Sequence, residues 1–291
     1  MAQVTAAMVK ELREKTGAGM MDCKKALGEV DGNMEEAIEF LRKKGLAAAA
    51  KKSGRIAAEG AVVASLKDNK SGVILEVNSE TDFVAKNDGF KDFTQELADL
   101  IIEKNPADVD AFMAVQAANG QTVEEYLNTM VAKIGEKLTL RRFTKLDGNN
   151  VSTYIHMGGK IGVVVNLEGG NEELAKDICL HIAASNPKYL DESFVDADYI
   201  EKEKEIFAAK LAEQGKPEKM IPNIIKGQVS KLLKEVCLVS QPFVKNPDVT
   251  IAQLLADNGA KIVTYTRYEM GEGLEKKQEN FAEEVAKQLQ K

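Results

Sequence analysis

A chain of 291 residues has room for two domains, and an apolar content of 44% is ordinary for a folded core. Tryptophan is absent and aromatics make up only 5%, so that core has to be mainly aliphatic. The net charge is −7, divided as +3 in the first 55 residues and −10 in the remainder, and an acidic body of this kind does not attract phosphate backbones, which argues against nucleic acid as the main partner.

Residues 1–45 read as three short helices. Thr5 caps the first, which ends at Thr16-Gly17. Asp22 is the expected cap of the second, ending near Gly28. Asn33 caps the third with Glu36 at the N3 place, and Gly45 is its expected stop. Met34, Ala37, Ile38 and Leu41 recur at the spacing of one buried helix face. Thr16-Gly17-Ala18-Gly19 is then a tight exposed turn. Residues 43–60, rich in Ala, Lys and Gly, read as a partly helical linker that lets this bundle move relative to the body.

A hairpin is expected next: Ala61–Leu66, a turn at Asp68–Gly72, and the apolar run Val73–Val77. The second strand ends in a polar stretch that brings an acid, Asp82, beside a large ring, Phe83. Ser79 and Asp82 also fit a capping box, which would make Phe83 and Val84 the first core residues of a short helix. A helix over Phe90–Ile102 follows. Asn105-Pro106 starts another, Thr122 and Glu125 form a capping box for Val123–Lys137, and Leu138–Phe143 alternates as a strand.

The hairpin-then-helix pattern recurs. Val151–Ile155, a turn at His156–Lys160 and Ile161–Leu167 lead to a helix over Glu172–Ala184 with Asn171 as cap. Two α+β subdomains follow from this repeat, each a small antiparallel sheet covered on one face. Only the first copy carries Thr81-Asp82-Phe83-Val84, which is hard to explain as scaffold.

Tyr199–Gln214 is a charged helical stretch, and Gly215-Lys216-Pro217 is a turn. Ile221, Ile225, Val229, Leu232 and Val236 then form a narrow helical seam, so the two helices make an antiparallel hairpin. Pro222 fits the first turn of a helix beginning near Met220. After the loop Gln241–Val244 come a helix at Ile251–Asn258 and a closing strand, Ile262–Tyr268. Gly271-Glu272-Gly273 breaks that strand, and Asn280–Leu289 is an amphipathic helix.

Catalytic chemistry has little material here. Gly159-Lys160 resembles the end of a phosphate loop, but Ile161 stands where Ser or Thr is needed. With only His156 and His181, and no Gly-x-Ser-x-Gly, a histidine triad is unsupported. The cysteines, Cys23, Cys179 and Cys237, have neither disulfide nor zinc spacing and suit a reducing cytosol. The start Met1-Ala2-Gln3-Val4 lacks the blocks of a signal peptide, and no apolar run reaches the roughly 18 residues of a membrane span. A cytoplasmic protein with no cofactor, no metal site and no membrane partner is expected.

Leu12–Leu27 resembles the first signature of bacterial elongation factor Ts, the nucleotide exchange factor of the GTPase elongation factor Tu. Glu76–Lys86 resembles the second, and similar pieces lie at His181–Pro187 and Gln241–Val244, so the resemblance runs over essentially the whole chain. It implies a fold: a ubiquitin-associated-like bundle with linker over residues 1–55 and a core N-subdomain over 56–145. A core C-subdomain over 146–190 and 237–272 follows, with a coiled-coil arm at 191–236 and a C-terminal module at 273–291. The fold class is α+β. It also implies a function without catalytic residues: binding of elongation factor Tu, GDP-bound or nucleotide-free, and promotion of GDP release. Thr81, Asp82, Phe83 and Val84 would dislocate the partner's magnesium. Arg13, Thr16, Gly17, Met20, Met21, Cys23, His156 and Met157 would bind the partner. The arm would form a homodimer, although Pro222 and Gln228 depart from the family's pattern there. The rival expectation is an adaptor with a ubiquitin-associated-like module and no exchange activity.

Overall fold

The computed structural model describes residues 4–275; the expected helix at Asn280–Leu289 lies outside the described residues. The fold class is α+β, as expected.

Three helices open the chain: α1 (Ala6–Thr16), α2 (Met20–Glu29) and α3 (Met34–Lys52). They close over Val9, Leu12, Cys23, Ala26, Leu27 and Ala37. The Thr5 hydroxyl accepts from Met8 N, and Asn33 Oδ1 accepts from the amides of Glu35 and Glu36, as their cap positions require. Two expectations fail. The N-cap of α2 is Gly19, not Asp22, whose carboxylate instead pairs with Lys44 across the bundle. Gly45 does not stop α3, because Leu46–Lys52 is built of strong helix formers that carry the helix on. The expected linker is thus helical only as far as Lys52, where α3 rests on the body, and irregular over 53–58.

The first sheet is β1 (Glu59–Lys67), β2 (Ser71–Ser79) and, after a helical connection, β3 (Thr139–Asp147), in the order β1-β2-β3 and antiparallel throughout. Between β2 and β3 come α4 (Asp82–Lys86), α5 (Asp88–Lys104), α6 (Val109–Met113) and α7 (Val123–Ile134). Asn105 does not start a helix: it closes α5 in the left-handed region (φ 50°), and Asp108 caps α6. The capping box of Thr122 and Glu125 is complete.

The second sheet comprises β4 (Asn150–His156), β5 (Ile161–Glu168) and a last strand. The helix α8 (Glu172–Ser185), capped by Asn171, follows β5. The arm is α9 (Ala197–Glu213) and α10 (Ile221–Val236), with Pro222 in the first turn of α10. A small ribbon of β6 (Pro242–Phe243) and β7 (Asn246–Thr250), then α11 (Ile251–Asp257), lead to β8 (Lys261–Glu269) on the free side of β5.

The sheets are not covered on one face only. Val73, Leu75 and Val77 pack under α5 and α7, while Val163, Val165 and Leu167 pack under α8 and α11. The opposite faces meet each other through Val62 and Ile74 on one side and Val151, Val164 and Tyr268 on the other. Helices, sheet, sheet and helices thus form four layers, which is why β2 reads as an unbroken apolar run. Gly162 permits the close approach, since a Cβ there would lie 2.4 Å from Val62 Cγ1. Among the described residues no helix is long and apolar enough to cross a membrane.

Candidate functional site

The end of β2 is braced from three directions. The Ser79 hydroxyl donates to the Thr81 carbonyl at 2.8 Å. Glu80 Oε1 accepts from Lys137 N at 2.6 Å and from Arg55 Nη1 at 3.2 Å. Thr81 donates from its N–H to Glu136 Oε2 at 2.9 Å and from its hydroxyl to Glu136 Oε1 at 2.7 Å. The expected box of Ser79 and Asp82 therefore does not form. Ser79 remains in the strand, and Thr81 is the N-cap of the one-turn helix α4.

On this turn the four signature residues divide the work. Val84 is buried in the core beneath β1 and β2, which pins the turn to the body. Phe83 points outward with 77% of its surface exposed. A single large exposed ring is unremarkable, but this one stands on a braced turn instead of a loose loop. Asp82 Oδ2 accepts from Lys86 Nζ at 2.7 Å, and that ammonium lies 5.7 Å from the Phe83 ring centroid. The Lys86 hydrogen bond holds the Asp82 carboxyl below the usual carboxylate range, with Lys160 helping through space. The turn thus presents an apolar ring flanked by an ionised acid and an exposed cation.

The turn between β4 and β5 lies beside it. Val62 N donates to the Gly159 carbonyl at 2.8 Å, and Lys160 Nζ pairs with Glu59 Oε2 at 3.0 Å, so this turn is fastened to the start of β1. Met157 sits there in the left-handed region (φ 49°) with 72% of its surface exposed. His156 Nδ1 lies 3.1 Å from the Tyr154 hydroxyl.

In the bundle, Met20 and Met21 are exposed at the start of α2, and Arg13 and Gly17 are exposed beside them. Gly17 ends α1 with φ 65°, a conformation glycine adopts without strain. Thr16 and Cys23 face the other way. The Thr16 hydroxyl donates to the Leu12 carbonyl at 2.7 Å, and Cys23 is fully buried with its thiol pushed up by burial. These two shape the loop from beneath. The loop borders a cleft of about 280 Å³ that also takes in Gly89 and Asp92 at the N-terminal end of α5 and Met130 and Lys133 on α7.

Glu80, Glu136 and Lys137 were not legible as site residues, because their partners are over 50 positions away in sequence. Lys86 could have been found: Asp82 and Lys86 stand at the i, i+4 spacing of a helical ion pair.

The sequence model of the family described as Elongation factor TS matches residues 80–272, a span that opens at Glu80 in this brace and closes past β8. That span contains the braced turn, β3 of the first sheet, the whole of the second sheet and the whole arm. With the first of the two signatures lying before it, in the order expected, the chain belongs to the elongation factor Ts family of translation factors.

Proposed function

We propose that this chain binds elongation factor Tu in its GDP-bound form and promotes GDP release by disturbing the magnesium and phosphate site, acting through contact alone. Asp82 and Phe83 are the inserted pair. Thr81 and Val84 hold them in place. The observation that carries this reading is Phe83: the ring is exposed, while Thr81 and Val84, which bracket Asp82 and Phe83, are tied to the body.

Magnitudes favour a direct wedge. A GTPase that binds nucleotide at about nanomolar affinity holds it by roughly 12 kcal/mol. Coupling between distant sites is typically about 1–3 kcal/mol, too little to empty such a site quickly. Burying one Phe side chain yields about 1.5–3 kcal/mol, so the ring does not drive the reaction alone. A wide interface supplies the rest, and the wedge directs it. Arg13, Gly17, Met20 and Met21 in the bundle and His156 and Met157 at the second turn are the further contacts, with Thr16 and Cys23 supporting the loop from within. The arm is the proposed homodimer contact, and the cytoplasm is where the partner would be met.

The test is release of fluorescent GDP from purified elongation factor Tu. Added chain accelerates release, and excess magnesium and GDP expel the chain from the nucleotide-free complex, since coupling between two ligands is reciprocal. An unchanged release rate with a stable complex would make the protein an adaptor.

A further inference from the structure

The one-turn helix α4 is too short to hold its own shape, and its N-cap hydroxyl does not cap it. The Thr81 hydroxyl is turned away, toward Glu136. We propose that Glu136 is the positioning residue of the exchange wedge: its carboxylate grips Thr81 and so fixes the direction in which Asp82 and Phe83 are presented. This rests on the exchange reading above and assigns it a residue outside both signatures.

Three observations carry the assignment. First, the grip is two-pronged, with one carboxylate oxygen on the Thr81 N–H and the other on its hydroxyl. In an ordinary capping box an acid three residues into the helix bonds the N–H of the cap residue; here the acid arrives from another segment. Second, the neighbouring pair repeats the link in reverse, because Lys137 N donates to Glu80 Oε1. Residues 80–81 and 136–137 form two adjacent rungs, and such a pair resists rotation where one bond would not. Third, Glu136 directly follows Gly135, which ends α7 with φ 86° and aims the chain across the end of β2. The segment holding the wedge thus hangs from the helix on which α3 of the bundle rests, through the Arg42–Glu125 pair at 2.9 Å and the close approach of Gly45 to Asn128. One helix therefore fixes both the wedge and the bundle that approaches the partner beside it.

The experiment has two readouts on the full-length protein. Amide hydrogen exchange on the free protein reports the grip without any partner. In Glu136→Ala the amides of residues 81–86 exchange at least tenfold faster, while the interior of α5 is unchanged. GDP release from elongation factor Tu reports the function. The maximal rate falls about tenfold in Glu136→Ala, the half-saturating concentration moves less than threefold, and Glu136→Gln recovers most of the rate because its amide oxygen still accepts from Thr81. The double variant with Thr81→Ala is no slower than Glu136→Ala alone, since losing the Glu136 carboxylate already removes both bonds to Thr81. Unchanged exchange at residues 81–86 overturns the proposal whether or not the partner responds. So does a normal maximal rate in Glu136→Ala when Phe83→Ala is slow in the same assay. If Phe83→Ala is as fast as the wild type, the wedge reading fails, and the exchange measurement still decides the grip.

Discussion

Glu76 is a carboxylate inside the first sheet with none of its surface exposed, and its replacement by Gln gives a calculable loss. Its Oε1 accepts from Arg141 Nη1 at 2.9 Å, Gly271 N at 2.8 Å and Asn78 Nδ2 at 3.1 Å, and its Oε2 accepts from Arg142 Nε at 2.6 Å. The bond to Gly271 N fastens the segment after β8 to the first sheet. Glu76→Gln keeps the shape but removes the charge and points an amide N–H₂ at a donor. Removing one partner of a buried ion pair costs about 3–5 kcal/mol. Both arginines keep some contact with water, with 22% and 30% of their side chains exposed, so the lower end applies, about 3 kcal/mol. At about 2 °C per kcal/mol for a protein of this size, the melting temperature should fall by about 6 °C at pH 7. Burial alone would raise the Glu76 carboxyl, but the Gly271 N–H and the two guanidinium groups outweigh it and hold the carboxyl below its ordinary value. A depressed carboxylate stabilises the fold in full above its unfolded value of about 4.3 and loses that contribution as pH falls through the lower folded value. The gap between wild type and variant is therefore constant from pH 7 to 5 and closes in stronger acid. Thermal melts followed by circular dichroism at pH 7, at pH 5 and in acid of about pH 3 read it. A shift below about 1 °C at pH 7, or a gap that widens in acid, would refute the reasoning.

Two further outcomes follow from buried contacts. His181 Nδ1 accepts from Val244 N at 3.2 Å, so its Nε2 carries the proton and donates to Gln241 Oε1 at 2.9 Å; burial lowers its pKa, so stability declines as pH drops below about 6.5, and urea titrations should find a smaller decline in His181→Gln. A Cβ on Gly45 would lie 3.3 Å from the Asn128 carbonyl oxygen, so Gly45→Leu forces α3 off α7 at a cost of about 1–3 kcal/mol, visible as faster amide exchange across α3 while α8 keeps its protection.

Much of the fold was readable wherever a side chain bonds its own neighbourhood. The caps at Thr5, Asn33, Thr122 and Asn171 fall where their hydrogen bonds can be drawn within three residues. Local rules also misled. Asn105-Pro106 has the look of a start, yet Asn105 takes the left-handed conformation that ends α5. Gly45 has the look of a stop, yet its missing side chain serves the approach of two helices. What sequence left unread is long-range. That the two sheets face each other depends on Val62, Ile74, Val164 and Tyr268 meeting across the molecule. Glu76 within Val73–Val77 and the pair Arg141-Arg142 were each visible as charges in strands, and matching them would have pointed to the buried cluster. For the site, the pattern singled out Asp82 and Phe83 but offered no means of telling an exposed ring from a core one. The bonds that brace the turn beneath that ring come from Glu136 and Lys137, which arrive from after α7.

The most direct measurement is stopped-flow release of fluorescent GDP from elongation factor Tu by the wild type and by Phe83→Ala, with complex formation followed in parallel. Exposed as it is, Phe83 contributes little to this chain's own stability, so the variant should fold and still bind while the maximal release rate drops at least tenfold. Release at the wild-type rate from a variant that binds normally would contradict the account.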